Sequence, residues 1–262
     1  MKLKLFALFC LLILLAGVHG AGAADVTVVI GGTSAATTYP DIILDMNAES
    51  GSGSWSGSYV VNGTGECYNE DGTGTINQAV TAETSTPLSG ATSFTWDTTS
   101  DYIIFDFTTA MTKGRIGAYI RIDNYTVDTP LLSIRDAGSP YDQVTLEMKA
   151  GSMIGVQFDD GPSSDSTLVS TTAASSVHYY EVAFDTTVGA GTDYVKIYAD
   201  GGAAENTITG TWEGLTFSNF WIGNTSGSQS GDATIDRIRI STDPLRDLNA
   251  LKDIVTLTGA CP

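Results

Sequence analysis

Asp193-Tyr-Val-Lys-Ile-Tyr-Ala-Asp-Gly-Gly202 alternates polar and apolar residues and ends in an Asp-Gly pair. A period of two predicts a β-strand with one buried face, and Asp200-Gly201 suits a type I′ turn because both of its central residues need positive φ. Two later stretches repeat the theme: Phe220-Trp-Ile-Gly-Asn224, and Gly231-Asp-Ala-Thr-Ile-Asp-Arg-Ile-Arg-Ile240. Each is bounded by Gly, Asp or Asn, so each predicts a strand beside a tight turn.

Strand-like segments continue upstream in close succession. They fall at residues 93–97, 102–107, 115–123, 131–135, 143–148, 153–158, 178–185, 194–200, 219–223 and 234–240, with earlier ones at 26–30 and 41–46. The Gly/Ser-rich residues 51–58 form a loop carrying Trp55, and residues 69–74 form another turn cluster. So many short strands separated by turns predict an all-β, two-sheet antiparallel sandwich.

Within residues 115–123, Ile116, Ala118, Ile120 and Ile122 share one face, and Arg115, Tyr119, Arg121 and Asp123 the other. Val182, Phe184, Val195 and Ile197 extend the apolar set. A ligand is therefore expected on the wet face or its loops. One helix is expected over residues 243–252, where Asp243 can cap, Pro244 suits the first turn, and Leu245, Leu248 and Leu251 recur every three residues. It would close one edge of the sandwich.

Residues 1–23 read as a secretory signal. Lys2 and Lys4 precede an apolar run over residues 5–18, and Ala21-Gly-Ala23 offers a cleavage site. The run is short for a membrane span, which needs about 20 residues. Residues 24–40 then form an N-terminal strand and connector, 41–252 a single β-domain, and 253–262 a tail. Cleavage removes two lysines and no acid, so the mature chain carries a net charge of about −20, against −18 for the whole sequence. Such a surface repels nucleic acid and anionic lipid. No membrane insertion is expected after signal cleavage, and the protein is expected outside the cell or at its surface.

Cys67 and Cys261 survive processing and are expected to pair in an oxidising compartment. The bond would contribute roughly 5 kcal/mol through chain entropy, less any strain. Two free thiols, or an intermolecular bridge through Cys261, are the alternatives.

Several of these segments match a known pattern as a set. Phe94-Thr-Trp-Asp97 and Asp101-Tyr-Ile-Ile104 are similar to an apolar-Asp-Gly-x-x-Asp-Tyr-apolar segment, with Thr98 where Gly is usual; Val177-His-Tyr-Tyr-Glu-Val182 is similar to a Trp-His-x-apolar strand without the tryptophan. Tyr198-Ala-Asp-Gly201, Ile222-Gly223, Ile235-Asp-Arg-Ile-Arg-Ile240 and residues 243–252 supply the hairpin, the closing strands and the short helix. Over about residues 41–252 the chain resembles the laminin-G-like, concanavalin A-like lectin and glucanase jelly rolls. That resemblance implies a jelly-roll sandwich with one short C-terminal helix, and it supplies a scaffold rather than an activity.

Catalytic signals are thin. The Glu-x-Asp-x-x-Glu strand of glycanases on this scaffold is absent, and Asp236 is followed by Arg237 and Arg239. His178 is the one histidine of the mature chain and is expected to lie among aromatic neighbours in a structural role. No Gly-x-Ser-x-Gly, His-Glu-x-x-His or Cys-x-x-Cys occurs. The expected function is a secreted, non-catalytic carbohydrate-binding or adhesion protein with a glycan, glycoconjugate or surface protein as partner. A structural subunit of a surface layer, filament or envelope is the first alternative, and a degenerate glycan-active enzyme the second.

Trp55, Trp212 and Trp221 are the candidate sugar-stacking rings, the first two in Gly-flanked loops and the third opposite in parity to Phe220 and Ile222. Asp159, Asp160, Asp232 and Asp236 are candidate Ca2+ ligands, because a hard cation wants several carboxylate and carbonyl oxygens. Turn aspartates equally satisfy their own backbone, and Asp236 shares the parity of Ile238 and Ile240, which would turn it inward. Asn62, Asn124 and Asn224 open Asn-x-Ser/Thr triplets and mark surface loops.

Overall fold

A computed structural model of the chain describes residues 39, 41–46, 55–59, 67–68, 74–83, 85–89, 93–96, 102–136, 142–160, 165–212, 214–223 and 231–252. The predicted signal, the strand at 26–30 and Cys261 lie outside the described residues. Sixteen strands are described. In chain order the first eight are β1 (Ile42–Met46), β2 (Trp55–Tyr59), β3 (Cys67–Tyr68), β4 (Gly74–Glu83), β5 (Ser93–Trp96), β6 (Tyr102–Met111), β7 (Lys113–Tyr125) and β8 (Thr129–Arg135). The others are β9 (Asp142–Lys149), β10 (Met153–Asp160), β11 (Asp165–Ala173), β12 (His178–Asp185), β13 (Asp193–Ala199), β14 (Asn206–Gly210), β15 (Phe217–Gly223) and β16 (Gly231–Ser241).

All pairings are antiparallel, and they build the two sheets of a jelly-roll sandwich. Sheet I runs β14-β13-β12-β7-β16; β16 then pairs with β5 along one half and with β1 along the other. Sheet II runs β11-β10-β9-β8-β15-β6 and continues into β4 and β2. β4 turns the corner: Thr75 to Asn77 pair with β6 in sheet II, and Thr81 to Glu83 with β5 in sheet I. A strand that changes sheets in this way lets the sandwich close without leaving a free ladder at the bend.

The alternation places the core as the sequence predicts. Ile116, Ala118, Ile120 and Ile122 of β7, with Val182, Phe184, Val195 and Ile197, are buried against Leu132, Ile134, Val144, Leu146, Val156, Phe158, Phe220 and Ile222 of sheet II. Asp200 and Gly201 take φ of +51° and +72°, and Gly202 N–H donates to the Ala199 carbonyl at 3.1 Å. The Asp-Gly turn therefore forms, within a longer link from β13 to β14.

One parity argument fails at a bulge. Asp236 pairs with Tyr119 and Arg239 with Gly117, so Arg237 and Ile238 together oppose one residue of β7, and Arg237 takes φ +50°. The inward set switches from Ala233 and Ile235 to Ile238 and Ile240. Asp236 thus stands on the face opposite Ile235, not beside Ile238 as its sequence parity suggests.

The predicted helix over residues 243–252 is replaced by turns and a single 3-10 turn, Asn249–Leu251. The N–H groups of Leu248 and Asn249 donate to Glu181 Oε1 at 2.9 and 3.2 Å, so a buried carboxylate takes donors that a helix would direct to its own carbonyls. Leu248 and Leu251 pack with Ile42 and Tyr179 in a second apolar cluster, bordered by Tyr39 and Tyr119, on the outer side of sheet I. Leu245, the first residue of the expected stripe, is 80% exposed. The segment covers a sheet face where an edge was expected.

Candidate functional site

β15 gives its two faces to different tasks. Phe220 and Ile222 enter the core, whereas Trp221 lies on the outer face of sheet II, paired across the ladder with Ser133 of β8 and Ile104 of β6. The same row continues through Thr145 of β9, Gln157 of β10 and Thr167 of β11. A neighbouring row holds Asn219, Arg135, Gln143 and Asp159 in successive register.

Trp221 is half-buried and fixed from two sides. The Arg135 guanidinium carbon stands 4.4 Å from the indole centroid, and Trp221 Nε1 donates to Asn219 Oδ1 at 3.1 Å. Beneath this pair Thr145 Oγ donates to Ser133 Oγ at 2.9 Å, with both hydroxyls buried. A ring locked by its neighbours loses little entropy on binding, and the surrounding amides, hydroxyls and guanidinium can fix the hydroxyls of a sugar laid on the platform. Arg135 and Asn219 were not among the sequence candidates. Their signal was available in the period of two, since each stands one residue from a core position on its own strand, Arg135 beside Ile134 and Asn219 beside Phe220.

Of the other two candidate tryptophans, Trp212 differs from Trp221. Trp212 is 8% exposed and belongs to the main core, its ring 4.2 Å from that of Phe158, while its backbone N–H donates to Asp193 Oδ2 at 2.7 Å. Its flanking Gly210 marks packing: a Cβ there would come within 2.4 Å of the indole. The sequence reading of Trp212 as a loop-borne stacking ring is corrected by this burial. Trp55 opens β2 opposite Val80, and its ring lies outside the described residues.

The four candidate calcium ligands are divided between the sheets. Asp159 and Asp160 end β10 in sheet II, the side chain of Asp160 lying outside the described residues; Asp232 and Asp236 belong to β16 in sheet I. Asp236 is buried and accepts hydrogen bonds from Ser93 Oγ at 2.9 Å, Ser89 N–H at 3.1 Å and Arg237 N–H at 2.7 Å. It ties Ser89 and Ser93 to the bulge. Among the described residues no three His, Cys, Asp or Glu side chains are grouped as a metal cage. Cys67 lies in β3 opposite Asp45, and the proposed bond to Cys261 falls outside the described residues. No helix among the described residues is long and apolar enough to cross a membrane.

His178 opens β12 with its ring edge-on to Tyr180 at 6.1 Å, the aromatic neighbourhood expected of it. Its nitrogens also reach Ser176 and Asp200, which the sequence reading did not connect.

No family model matches the chain, and no curated protein matches it. Solved structures do. The binding domain of botulinum neurotoxin serotype D is 11% identical with a TM-score of 0.58, over 82% of this chain and 52% of that one. A botulinum neurotoxin type C structure, described through cell entry dependent on two ganglioside molecules, is 14% identical with a TM-score of 0.58, over 82% of this chain and 51% of that one. The botulinum neurotoxin DC binding domain in complex with rat synaptotagmin II is 14% identical with a TM-score of 0.57, over 82% and 52%. The chain spans about half the length of these neighbours. At such identities the likeness shows the fold alone, a jelly-roll sandwich, and does not single out the laminin-G group.

Proposed function

We propose that the chain is a secreted glycan-binding or adhesion module whose ligand lies on the outer face of sheet II at Trp221, a site that binds without catalysing. The observation that carries this reading is the Trp221 indole clamped by Arg135 and Asn219 within rows of polar side chains. Aromatic area for the apolar side of a sugar, bordered by hydrogen-bonding groups, is the chemistry a neutral glycan needs. Neighbours described by ganglioside interaction and by a synaptotagmin II complex support a binding role in general terms. Glycan-array binding of the wild type and of Trp221→Ala tests the reading. Binding that is saturable, competed by free sugar and lost in the variant is expected; equal binding by both places the ligand elsewhere.

A further inference from the structure

Ser176, His178 and Asp200 form one continuous hydrogen-bonded chain on sheet I, the sheet opposite the one that carries Trp221. Ser176 Oγ lies 2.9 Å from His178 Nε2, and His178 Nδ1 lies 2.6 Å from Asp200 Oδ2. The atoms are paired as general-base catalysis requires: the carboxylate takes Nδ1–H and so leaves the Nε2 lone pair facing the hydroxyl.

Backbone holds His178 and Asp200, and it pins the loop of Ser176 two residues away. Asp200 Oδ1 accepts Tyr179 N–H at 3.0 Å, and Asp200 N–H donates to the Tyr179 carbonyl at 2.8 Å, which locks the carboxylate to the start of β12. Asp200 keeps φ +51° at the turn, a conformation unfavourable to most side chains, and in this position its carboxylate reaches the imidazole. The connection from β11 to β12 that carries Ser176 is pinned at Ala174, whose N–H donates to Ser152 O at 2.7 Å and whose carbonyl accepts Ile122 N–H at 2.8 Å. Partial burial opposes ionisation of Asp200, but hydrogen bonds from Tyr179 N–H and His178 prevail and hold its carboxyl below the usual range. Ser176 is exposed, so an acyl donor can reach it from solvent.

We propose that Ser176 is a nucleophilic serine that accepts acyl groups from activated carboxylic esters, with His178 as its general base and Asp200 as the residue that positions the imidazole. Ser176 Oγ attacks the ester carbonyl carbon while its proton passes to His178 Nε2. The bond from that carbon to the leaving oxygen then breaks, and the leaving alkoxide takes the proton from His178. Water repeats the sequence on the acyl-serine, so ester and water become acid and alcohol and the serine is restored.

A tagged fluorophosphonate, which forms a phosphonyl-serine by the same first step with loss of fluoride, tests this on the full chain with peptide mass mapping. Ser175, the exposed residue next in the chain, is an internal control. Ser176 is expected to label about 100-fold faster than Ser175, and His178→Gln to bring the two rates together, on the usual scale of general-base assistance. Asp200→Asn keeps a residue that tolerates positive φ. It is expected to slow labelling about tenfold or more at an unchanged melting temperature, and to shift the imidazole 15N resonances of His178 toward the other tautomer. Equal labelling of Ser175 and Ser176 in the wild type overturns the nucleophile. Unchanged labelling and resonances in Asp200→Asn overturn the positioning role, and if His178→Gln does not fold, the Asp200 variant decides.

Discussion

The outer faces of the two sheets treat polar groups in opposite ways. On sheet I, Arg115, Glu181 and Arg239 are buried under residues 243–252. Arg115 Nε lies 2.9 Å from Glu181 Oε1, Glu181 accepts the Leu248 and Asn249 N–H groups, and Arg239 donates to the Leu251 carbonyl. Arg115 also stacks on Tyr198 at 4.2 Å. On sheet II, Arg135 is only half-buried and lies against a half-buried indole. A charge taken from water is tolerated when it is paired, and here the buried charges pair with one another and with backbone groups of the covering segment, so the first face is a structural seal. The second keeps a cation and an aromatic ring within reach of solvent, which suits recognition.

Glu181→Ala breaks this contrast most severely. It strands the Arg115 charge and two backbone donors, and a loss of about 3–5 kcal/mol is expected in urea unfolding. A loss under about 1 kcal/mol would show that the segment over sheet I is not a seal.

The two described tryptophan rings sharpen it next. Trp212→Ala empties a core site and should cost about 3–5 kcal/mol of stability, with glycan affinity of the folded fraction unchanged. Trp221→Ala should cost about 1 kcal/mol of stability or less, while weakening sugar binding about thirtyfold, the equivalent of about 2 kcal/mol. Titration calorimetry beside thermal melts separates the two, and an exchange of effects would reverse the assignment of the faces.

The smallest effect lies at the edge of the seal. Partial burial raises the Asp41 carboxyl, but hydrogen bonds from Arg246 and Ser241 outweigh it and hold the group below its usual range. A depressed carboxylate stabilises the fold above its unfolded value, near 3.9, and that contribution disappears as pH falls through the folded value. Arg246→Met should therefore be less stable than wild type by about 1 kcal/mol at pH 6, a figure reduced by solvent exposure of the pair. The gap should close as pH falls through the folded value in paired melting curves. A gap that persists at low pH would assign the effect to packing against Tyr39.

Much of the sandwich was legible because burial and strand geometry share one period. The positions of Ile116, Ala118, Ile120, Ile122, Phe220 and Ile222 follow from it, and so does the outward placement of Trp221. Trp212 was misread because a glycine beside an aromatic residue signals either an open loop or a ring packed on the backbone, and local sequence does not distinguish them. Arg135 and Asn219 were legible as outward residues, but their meeting with Trp221 depends on register between β8 and β15. The chain from Ser176 to Asp200 was hidden because its members come from a turn, a strand start and a distant turn.

Sequence by itself determined the all-β class, the inner faces of most strands, and the Asp-Gly turn, since these depend on alternation and on the φ preferences of single residues. Tertiary structure alone decided three further points: the parity switch at Arg237, the unwinding of residues 243–252 over Glu181, and the choice of sheet II to hold the open aromatic platform. Each depends on a partner far along the chain, and a local pattern carries no record of which distant group will satisfy a donor, cover a face or shift a register.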